Sequence, residues 1–319
     1  MLKPWWTNET LPKPTRDVAR LKADMTRYGY CLVAEAFTPA QCAAIRERLA
    51  EQAAGEREQG HHRRSLVQDP GMVNQWVNML LNKGDVFRTA LHNPTIGALA
   101  EHLLGKEYVL SDLAAHITRP GNSLLPLHTD QWWMPVPRMP EEDYVRAGDI
   151  SRTTITIDGP GRSRTPINPP MVMNAMCMMS DFTEENGGTR LVPMSHLSGV
   201  QPDQSVPHTV PSVAAEGPAG TVVIWEGRTW HSAGENRSNA DRFGLVSYYG
   251  APQARQLANY TLGTKAHVLK DASPELLKLL GFKVWHGYGQ TGTHGTEFAA
   301  PADQLIGEMR PPAAKSAAH

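Results

Sequence analysis

Residues 220–249 read GTVVIWEGRTWHSAGENRSNADRFGLVSYY and contain two apolar runs separated by a polar segment. The first run delivers Trp230 and His231 at its end, and the second run alternates in polarity and starts with Arg242. Short runs rich in Val, Ile, Thr and aromatic residues, bounded by turn residues, are typical of β-strands. The stretch therefore predicts two strands joined by a polar turn.

Similar short runs fill the segment that begins at Tyr108, where Gly and Pro residues punctuate them. They include YVLSDLAAHITRPG, LLPLHTDQWW, MVMNAMCMMSDF and TRLVPMS. Their length and spacing predict an all-β barrel or jelly-roll core. The expected fold class is mainly β with flanking helices (α+β), built around a double-stranded β-helix of the jelly-roll or cupin-like kind.

Helical patterns precede this core. Residues 15–54 predict a helix, a short strand (CLVAEAF) and a second helix. Thr38 and Pro39 suit the N-cap and the first position of that second helix. Residues 84–104 carry apolar residues at helical spacing and predict a third helix. These helices are expected to cover one face of the sheet.

A single domain is expected over residues 1–298. Its predicted parts are a helical support (about 15–105), the jelly-roll core (about 106–250) and a C-terminal extension (251–298), and residues 299–319 have the composition of a poorly ordered tail. Residues 134–170 interrupt the core with a long segment rich in Pro and Gly. Because long insertions in compact domains are usually lids or binding loops, we expect this one to be a lid.

Composition excludes several classes of protein. Lys and Arg total 31 against 32 acidic residues, with no basic stripe, which argues against a nucleic-acid partner. The N-terminal sequence has no signal-peptide pattern, and no later run approaches a membrane span. The three cysteines, Cys31, Cys42 and Cys177, are odd in number and widely spaced. They indicate a reducing compartment, so a cytoplasmic protein is expected. Whether the chain forms a homo-oligomer stays open.

The triplet His128-Thr129-Asp130 places an imidazole and a carboxylate two residues apart. On a strand, side chains at this spacing project from one face and can point together into a barrel. His-x-Asp alone is weak evidence, because it also fits a strand-end histidine beside a capping aspartate. A second imidazole, His231, completes two histidines and one carboxylate. Such a set is typical of non-haem Fe(II) oxygenases, since it leaves positions open for a bidentate ligand and dioxygen.

Arg242 begins the strand RFGLVSYY and shares a face with Gly244, Val246 and Tyr248. A guanidinium there can bind a carboxylate through two parallel hydrogen bonds, and the distal end of 2-oxoglutarate presents a carboxylate. Taken alone, Arg242 would be read as a surface arginine at the start of a strand. Its spacing from His231 is what favours the functional interpretation.

From about Leu21 to Tyr249 the sequence resembles the phytanoyl-CoA dioxygenase family of Fe(II)- and 2-oxoglutarate-dependent oxygenases. The resemblance rests on MTRYGYCLVAEAFTPAQCAAIRERL, HITRPG, LHTD, ENGGTRLVPMSH and AGTVVIWEGRTWH, together with the interval from His231 to Arg242. It implies a jelly-roll oxygenase that converts 2-oxoglutarate to succinate and CO2.

The resemblance also implies roles for individual residues. The implied catalytic ligands of Fe(II) are His128, Asp130 and His231, with dioxygen as the oxidant. The implied contacts to 2-oxoglutarate are Arg242, Thr189 and Ser232. Residues 171–180, MVMNAMCMMS, stand where the phytanoyl-CoA enzymes carry a tryptophan-bearing strand, which predicts a differently built pocket beside the metal.

The substrate is expected to be a mostly apolar small molecule, altered by hydroxylation, desaturation or ring formation. Trp132 and Trp133 follow the metal-binding triplet directly and are candidates for the wall of the substrate pocket. Arg190 offers a polar handle in the same region. Three other features are expected to be structural: His196, Cys177 and a solvated loop at residues 61–64.

Two other interpretations stay open. The first is a cupin-like metalloprotein with a different reaction, such as hydrolysis at zinc or dioxygenation without a co-substrate. In that case Arg242 would not be required. The second is a non-catalytic barrel that binds a small molecule around a vestigial site. Against it, all the ligand types and the arginine are intact.

Overall fold

The computed structural model of the protein describes residues 6–64, 73–134, 146–149, 168–203, 210–292 and 295–299. The α-helices are α1 (Val18–Tyr28), α2 (Pro39–Glu58), α3 (Pro94–Leu104), α4 (Tyr260–Gly263), α5 (Ala266–Leu269) and α6 (Pro274–Leu279). The strands are β1 (Tyr30–Val33), β2 (Arg63–Arg64), β3 (Gln75–Val77), β4 (Val109–Thr118), β5 (Val172–Met178), β6 (Arg190–Leu191), β7 (Val213–Ala214), β8 (Val222–Glu226), β9 (His231–Ser232) and β10 (Arg242–Gly250). Short 3₁₀ helices span Leu80–Asn82, Asp85–Ala90, Ala147–Asp149 and Ser195–Leu197.

The strands form two antiparallel sheets. The larger has seven strands in the order β1-β8-β5-β10-β4-β3-β2, and the smaller has three in the order β7-β6-β9. At the centre of the larger sheet, Val246 of β10 lies opposite Met176 of β5 on one side and Ala114 of β4 on the other. The two sheets form a jelly-roll core that is not closed into a barrel, as the sequence predicted in outline.

The two faces of the larger sheet pack against different layers, which follows from the two-residue period of a strand. On one face, Ala175 and Cys177 belong to a buried cluster that includes Leu21 and Leu49 of the helices. On the other face, residues of β5, β8 and β10 share a buried cluster with Leu191 of the smaller sheet. The helices therefore cover one face, and the other face is turned towards the smaller sheet.

The helices begin where local chemistry predicts. Thr38 Oγ1 accepts from the N–H of Gln41, whose side chain accepts from the N–H of Thr38, a capping box at the start of α2. The predicted helix over 84–104 is wrong in one respect, because a 3₁₀ helix (Asp85–Ala90) precedes α3. Asn93 caps α3 by accepting from two backbone N–H groups, and Pro94 starts it, so the two segments are separate.

Two strand predictions and one loop prediction need correction. Strand β8 ends at Glu226, and a turn over residues 227–230 carries the chain to the other sheet, so His231 begins β9 and does not end β8. Residues 124–133 contribute only an isolated bridge at His128, because Pro126 and the turn that follows Asp130 interrupt a regular ladder. The loop predicted at residues 61–64 contains β2, which pairs with β3.

Parts of the predicted organisation fall outside the described residues. They are residues 135–145 and 150–167 of the insertion and residues 300–319 of the tail. The proposed domain bounds therefore stay predictions. Within the described ranges, none of the helices has the length and apolar character needed to cross a membrane.

Candidate metal centre

The His-Thr-Asp segment and the start of β9 lie side by side. The N–H of His128 donates to the carbonyl of His231 at 3.0 Å, and the N–H of His231 donates to the carbonyl of His128 at 3.0 Å. The N–H of Asp130 donates to the carbonyl of Gly227 at 2.9 Å. These bonds keep the backbone extended, so the side chains at positions 128 and 130 project from one face.

The side chains of His128, Asp130 and His231 converge, with one candidate ligand atom from each lying within 4.8 Å of the others. His231 Nε2 lies 3.2 Å from Asp130 Oδ2, and His128 Nε2 lies 3.9 Å from Asp130 Oδ1. Ligand atoms about 2.1 Å from one ion and at right angles to each other are about 3 Å apart. A small contraction of the observed distances would therefore let all three residues bind one ion.

Both imidazoles are oriented by backbone carbonyls. His128 Nδ1 lies 3.1 Å from the carbonyl oxygen of Pro126, and His231 Nδ1 lies 2.9 Å from that of Thr229. A carbonyl only accepts, so each Nδ1 carries the hydrogen and each Nε2 turns its lone pair towards Asp130. This is the tautomer that a metal ligand needs, and the second partner of each ring fixes its plane.

The larger sheet supports the triad. Asn174 of β5 donates to Asp130 Oδ2 at 2.8 Å, and the ring of Trp225 on β8 lies 4.9 Å from that of His231. The register places Asn174 opposite Trp225. Neither residue could be identified from the sequence beyond its place on an apolar strand.

Arg242 lies at the first position of β10 and is 1% exposed. Its Nη2 donates to Thr118 Oγ1, and its Cζ lies 4.1 Å from the ring centroid of Phe182. Its Nε and Nη1 are buried without a hydrogen-bond partner in the described part of the chain. Burial lowers the pKa of Arg242 to about 9, because no carboxylate offsets the loss of water. An acceptor-only group such as a carboxylate would satisfy these donors.

A buried histidine that sequence reasoning missed lies beside this arginine. His116 of β4 is 3% exposed and stacks on Trp76 of β3 with ring centroids 4.6 Å apart. Burial, with a smaller effect from Arg242, lowers the pKa of His116 to about 3, so the ring is neutral. The available signal was the alternation in HITRPG, which places His116 and Thr118 on one face of a strand.

The other two predicted co-substrate contacts are buried near the triad. Thr189, 4% exposed, immediately precedes β6, and its carbonyl accepts from the N–H of Ala215. Ser232 lies next to His231 on β9, and its hydroxyl is buried with no partner among the described residues.

The residues predicted to contact substrate lie in different surroundings. Trp132 and Trp133 form a half-buried turn directly after the metal-binding segment. The guanidinium of Arg190 bonds to Ser212 and forms an ion pair with Glu184. Arg190 therefore already has partners that account for its charge.

The structural assignments of His196 and Cys177 agree with the contacts. His196 is buried, and its Nε2 lies 3.1 Å from the carbonyl oxygen of Thr26 in α1. Burial lowers the pKa of this ring, as expected for a histidine that packs in the interior. Cys177 is fully buried, and burial raises the pKa of its thiol, which keeps it unreactive at neutral pH.

The C-terminal end of the insertion is hydrogen-bonded to the segments that carry the candidate metal ligands. Gln131 donates to the carbonyl of Pro169 at 2.9 Å and accepts from the N–H of Met171 at 2.7 Å. Arg228 donates to the carbonyl of Asn168 at 2.6 Å and is paired with buried Glu226. Residues 168–171 therefore lie against the segments that flank the triad residues.

Comparison with known proteins agrees with this geometry. A family model described as phytanoyl-CoA dioxygenase (PhyH) matches residues 25–244, more than half of the chain. The chain is 27% identical over 281 residues to dioxygenase af480 of Aspergillus fumigatus, a match that covers 85% of this chain and 81% of the relative.

Solved structures share the fold. The epimerase SnoN, in complex with Fe3+, alpha ketoglutarate and nogalamycin RO, superposes with a TM-score of 0.53 at 23% identity, over 78% of this chain and 91% of that one. HygX from Streptomyces hygroscopicus, with nickel and 2-oxoglutarate bound, gives a TM-score of 0.55 at 14% identity, over 76% and 90% of the two chains.

Proposed function

Since the chain belongs to the phytanoyl-CoA dioxygenase family, we propose that its His128, Asp130 and His231 hold the Fe(II) of a 2-oxoglutarate-dependent dioxygenase. The enzyme class follows from the family and from the dioxygenase relatives. The observation that carries the residue assignment is the convergence of two imidazole Nε2 atoms and one carboxylate. When bound, iron with dioxygen supplies a two-electron oxidation of substrate, and 2-oxoglutarate is converted to succinate and CO2.

The donor set fits iron and differs from that of a structural zinc site. Two imidazoles and one carboxylate on one side of an ion leave the other side open for a bidentate ligand. A structural zinc site would instead be closed by a fourth protein ligand, and the described residues supply only these three. The chain's own part is to hold the three ligands, to fix the tautomer of each ring and to keep water away from the site.

Arg242 is proposed as the anchor for the distal carboxylate of 2-oxoglutarate. Its buried, unpartnered Nε and Nη1 support this, because a buried cation without an acceptor is costly unless a ligand completes it. Ser232 and Thr189 are proposed as further contacts, on the basis of their burial and their positions beside His231 and β6.

The substrate is proposed to be a small molecule, mostly apolar, that is hydroxylated, desaturated or cyclised. The half-buried turn of Trp132 and Trp133 and the inward methionines Met176 and Met178 support an apolar pocket wall. The structural neighbours are consistent with a small molecule, since one is described with nogalamycin RO. Residues 134–170 are proposed as a lid over the pocket, because residues 168–171 are hydrogen-bonded to Gln131 and Arg228, which flank the triad in the sequence.

Metal and turnover assays test the assignment together. Anaerobically reconstituted protein should bind one Fe(II) per chain and release succinate from 2-oxoglutarate in the presence of dioxygen. His128→Ala, Asp130→Ala and His231→Ala should each abolish iron-dependent turnover with the fold retained. His267→Ala, an exposed histidine in α5, is the matched control. Full activity in Asp130→Ala would show that the triad assignment is wrong.

The same experiment separates the two competing functions. Metal binding with a reaction that does not consume 2-oxoglutarate would favour a cupin-like metalloprotein with different chemistry. Absence of both metal binding and turnover would favour a non-catalytic binding barrel. An Arg242→Ala variant with unchanged turnover would count against 2-oxoglutarate anchoring in either case.

A further inference from the structure

Strands β4 and β10 place three polar side chains in one buried layer. The antiparallel register pairs Arg242 with Thr118 and Gly244 with His116. His116 and Thr118 are two residues apart, so their side chains project from the same face of β4. Each of the three side chains is 3% exposed or less. Polar groups at this depth are normally hydrogen-bonded, so their partners can be followed one by one.

The hydrogen bonds among them run in one direction. A guanidinium can only donate, so Arg242 Nη2 donates to Thr118 Oγ1. Thr118 Oγ1 also lies 3.4 Å from His116 Nδ1. A hydroxyl has one hydrogen and two lone pairs, so Thr118 can accept from Arg242 and direct its own hydrogen at Nδ1. With Nδ1 as the acceptor, the neutral ring carries its hydrogen on Nε2.

With the hydrogen bonds ordered in this way, several N–H groups of this layer are left without an acceptor in the described ranges. His116 Nε2, Arg242 Nε and Arg242 Nη1 are all buried and lack a hydrogen-bond partner among the described residues. The stacking of His116 on Trp76, with an angle of 28° between the ring planes, fixes the direction of its Nε2–H. These three donor nitrogens belong to residues on one face of paired strands, and an acceptor-only ligand group would satisfy them. A carboxylate is such a group, because it offers two oxygens and about four acceptor positions.

We propose that His116 is a second anchor for 2-oxoglutarate, donating from Nε2 to the distal carboxylate that Arg242 binds. This rests on the proposed function, which supplies the ligand and the arginine. The roles of the two residues differ. Arg242 supplies the positive charge, whereas His116 supplies a neutral directional donor that selects a carboxylate over a methyl group. Thr118 is a positioning residue, because it sets the tautomer of His116 without being required to touch the ligand.

The proposal predicts selectivity between two 2-oxo acids. 2-Oxoglutarate and 2-oxopentanoate share the 2-oxo acid end and the chain length, but a methyl group replaces the distal carboxylate in 2-oxopentanoate. A hydrogen bond to a charged group contributes about tenfold to hundredfold to affinity. His116→Phe keeps the ring stacked on Trp76 and removes the donor. The variant should bind 2-oxoglutarate more weakly by about that factor and bind 2-oxopentanoate with almost unchanged affinity.

Calorimetric titration of Mn(II)-loaded protein under argon measures both affinities without turnover. His116→Gln, which keeps an amide N–H near the same place, should restore part of the preference. Thr118→Val should lower the preference for 2-oxoglutarate, because no hydroxyl then directs a hydrogen at His116 Nδ1. His196→Phe, in a buried histidine bonded to Thr26, is the control and should keep the wild-type ratio.

Each outcome points to one conclusion. Because the ratio is measured within each variant, a partly unfolded preparation lowers both signals and leaves the ratio intact. A His116→Phe variant with the wild-type ratio, or one that weakens both acids equally, overturns the proposal. Wild-type protein that shows no preference for 2-oxoglutarate, or an Arg242→Ala variant that keeps the full wild-type preference, overturns instead the proposed function on which it rests.

Discussion

Asn174 Nδ2 donates a 2.8 Å hydrogen bond to Asp130 Oδ2 and so links the centre of the larger sheet to the carboxylate of the triad. Asn174 is completely buried, and its strand pairs on both sides, with β8 and with β10. The carboxylate itself follows a segment with only an isolated bridge. Its orientation therefore depends on a residue from a more rigid element.

Replacing Asn174 by Ala is expected to lower the affinity for Fe(II) or Mn(II) by about tenfold to hundredfold, the usual effect of removing a hydrogen bond to a metal ligand. Ser247→Ala is the control. Ser247 is equally buried on the neighbouring strand but pairs with Ala175, so its side chain lies on the opposite face of the sheet. Metal titration should show wild-type affinity in the control. Equal affinities in both variants would contradict the positioning role of Asn174.

Arg242→Ala is expected to raise the dissociation constant for 2-oxoglutarate sharply, by the equivalent of about 2–5 kcal/mol, because it removes the charge that faces the carboxylate. Arg242→Lys should recover only part of this, since an ammonium cannot form the bidentate pair. Arg237, on the turn before β10, is the control, with its side chain 51% exposed and paired with Glu235. If Arg237→Ala weakens 2-oxoglutarate binding strongly and Arg242→Ala leaves it unchanged, Arg242 is not the anchor.

The elements that the sequence predicted well are those specified by local chemistry. Thr38 and Gln41 form a capping box within four consecutive residues, and His128 and Asp130 share a face because they are two apart. Pairings across distant segments were not predictable in this way. His231 begins a strand of the smaller sheet, and Asn174 reaches Asp130 only because β5 lies in the middle of the larger one. His116 was missed for the same reason, since its meaning depends on the register with Arg242.

Gly29 to Ala is expected to weaken both stability and metal binding. Gly29 has φ of 81°, and a Cβ there would lie 2.5 Å from Thr229 Oγ1 and 2.6 Å from His196 Nδ1. Thr229 donates to the carbonyl of Gly29, and its own carbonyl orients His231. The substitution should therefore disturb the ring as well as the backbone.

Gly60→Ala is the matched control, because Gly60 has φ of 69° but nothing within 4 Å of the added Cβ. Backbone strain alone costs about 1–3 kcal/mol and is common to both variants. Urea unfolding should show a larger loss in Gly29→Ala, and only that variant should bind Fe(II) more weakly. Equal losses with unchanged metal affinity would mean that Gly29 acts through backbone conformation alone.

The pH dependence of stability should carry the signature of His116. Burial, and to a smaller extent Arg242, lowers the pKa of His116 from 6.5 to about 3 in the folded protein. Between these values the unfolded chain binds a proton at this residue and the folded chain does not. The free energy of unfolding therefore rises with pH across this window, by at most about 1.4 kcal/mol per pH unit from this group, and the contribution is lost as pH falls below 6.5.

His116→Phe removes the titrating ring at this position and leaves His196, whose pKa is also lowered, in place. The difference in unfolding free energy between variant and wild type therefore reports on His116 alone. Urea unfolding from pH 4.5 to pH 7 should give a shallower fall towards acid in the variant than in the wild type. Above pH 7 the two curves should run parallel, because the ring is neutral in both states there. His116→Gln should follow the phenylalanine variant in slope, since amide and phenyl groups do not titrate. Parallel curves across the whole range would mean that His116 accepts a proton within the fold, and its Nε2–H would no longer be the neutral donor that the carboxylate site requires.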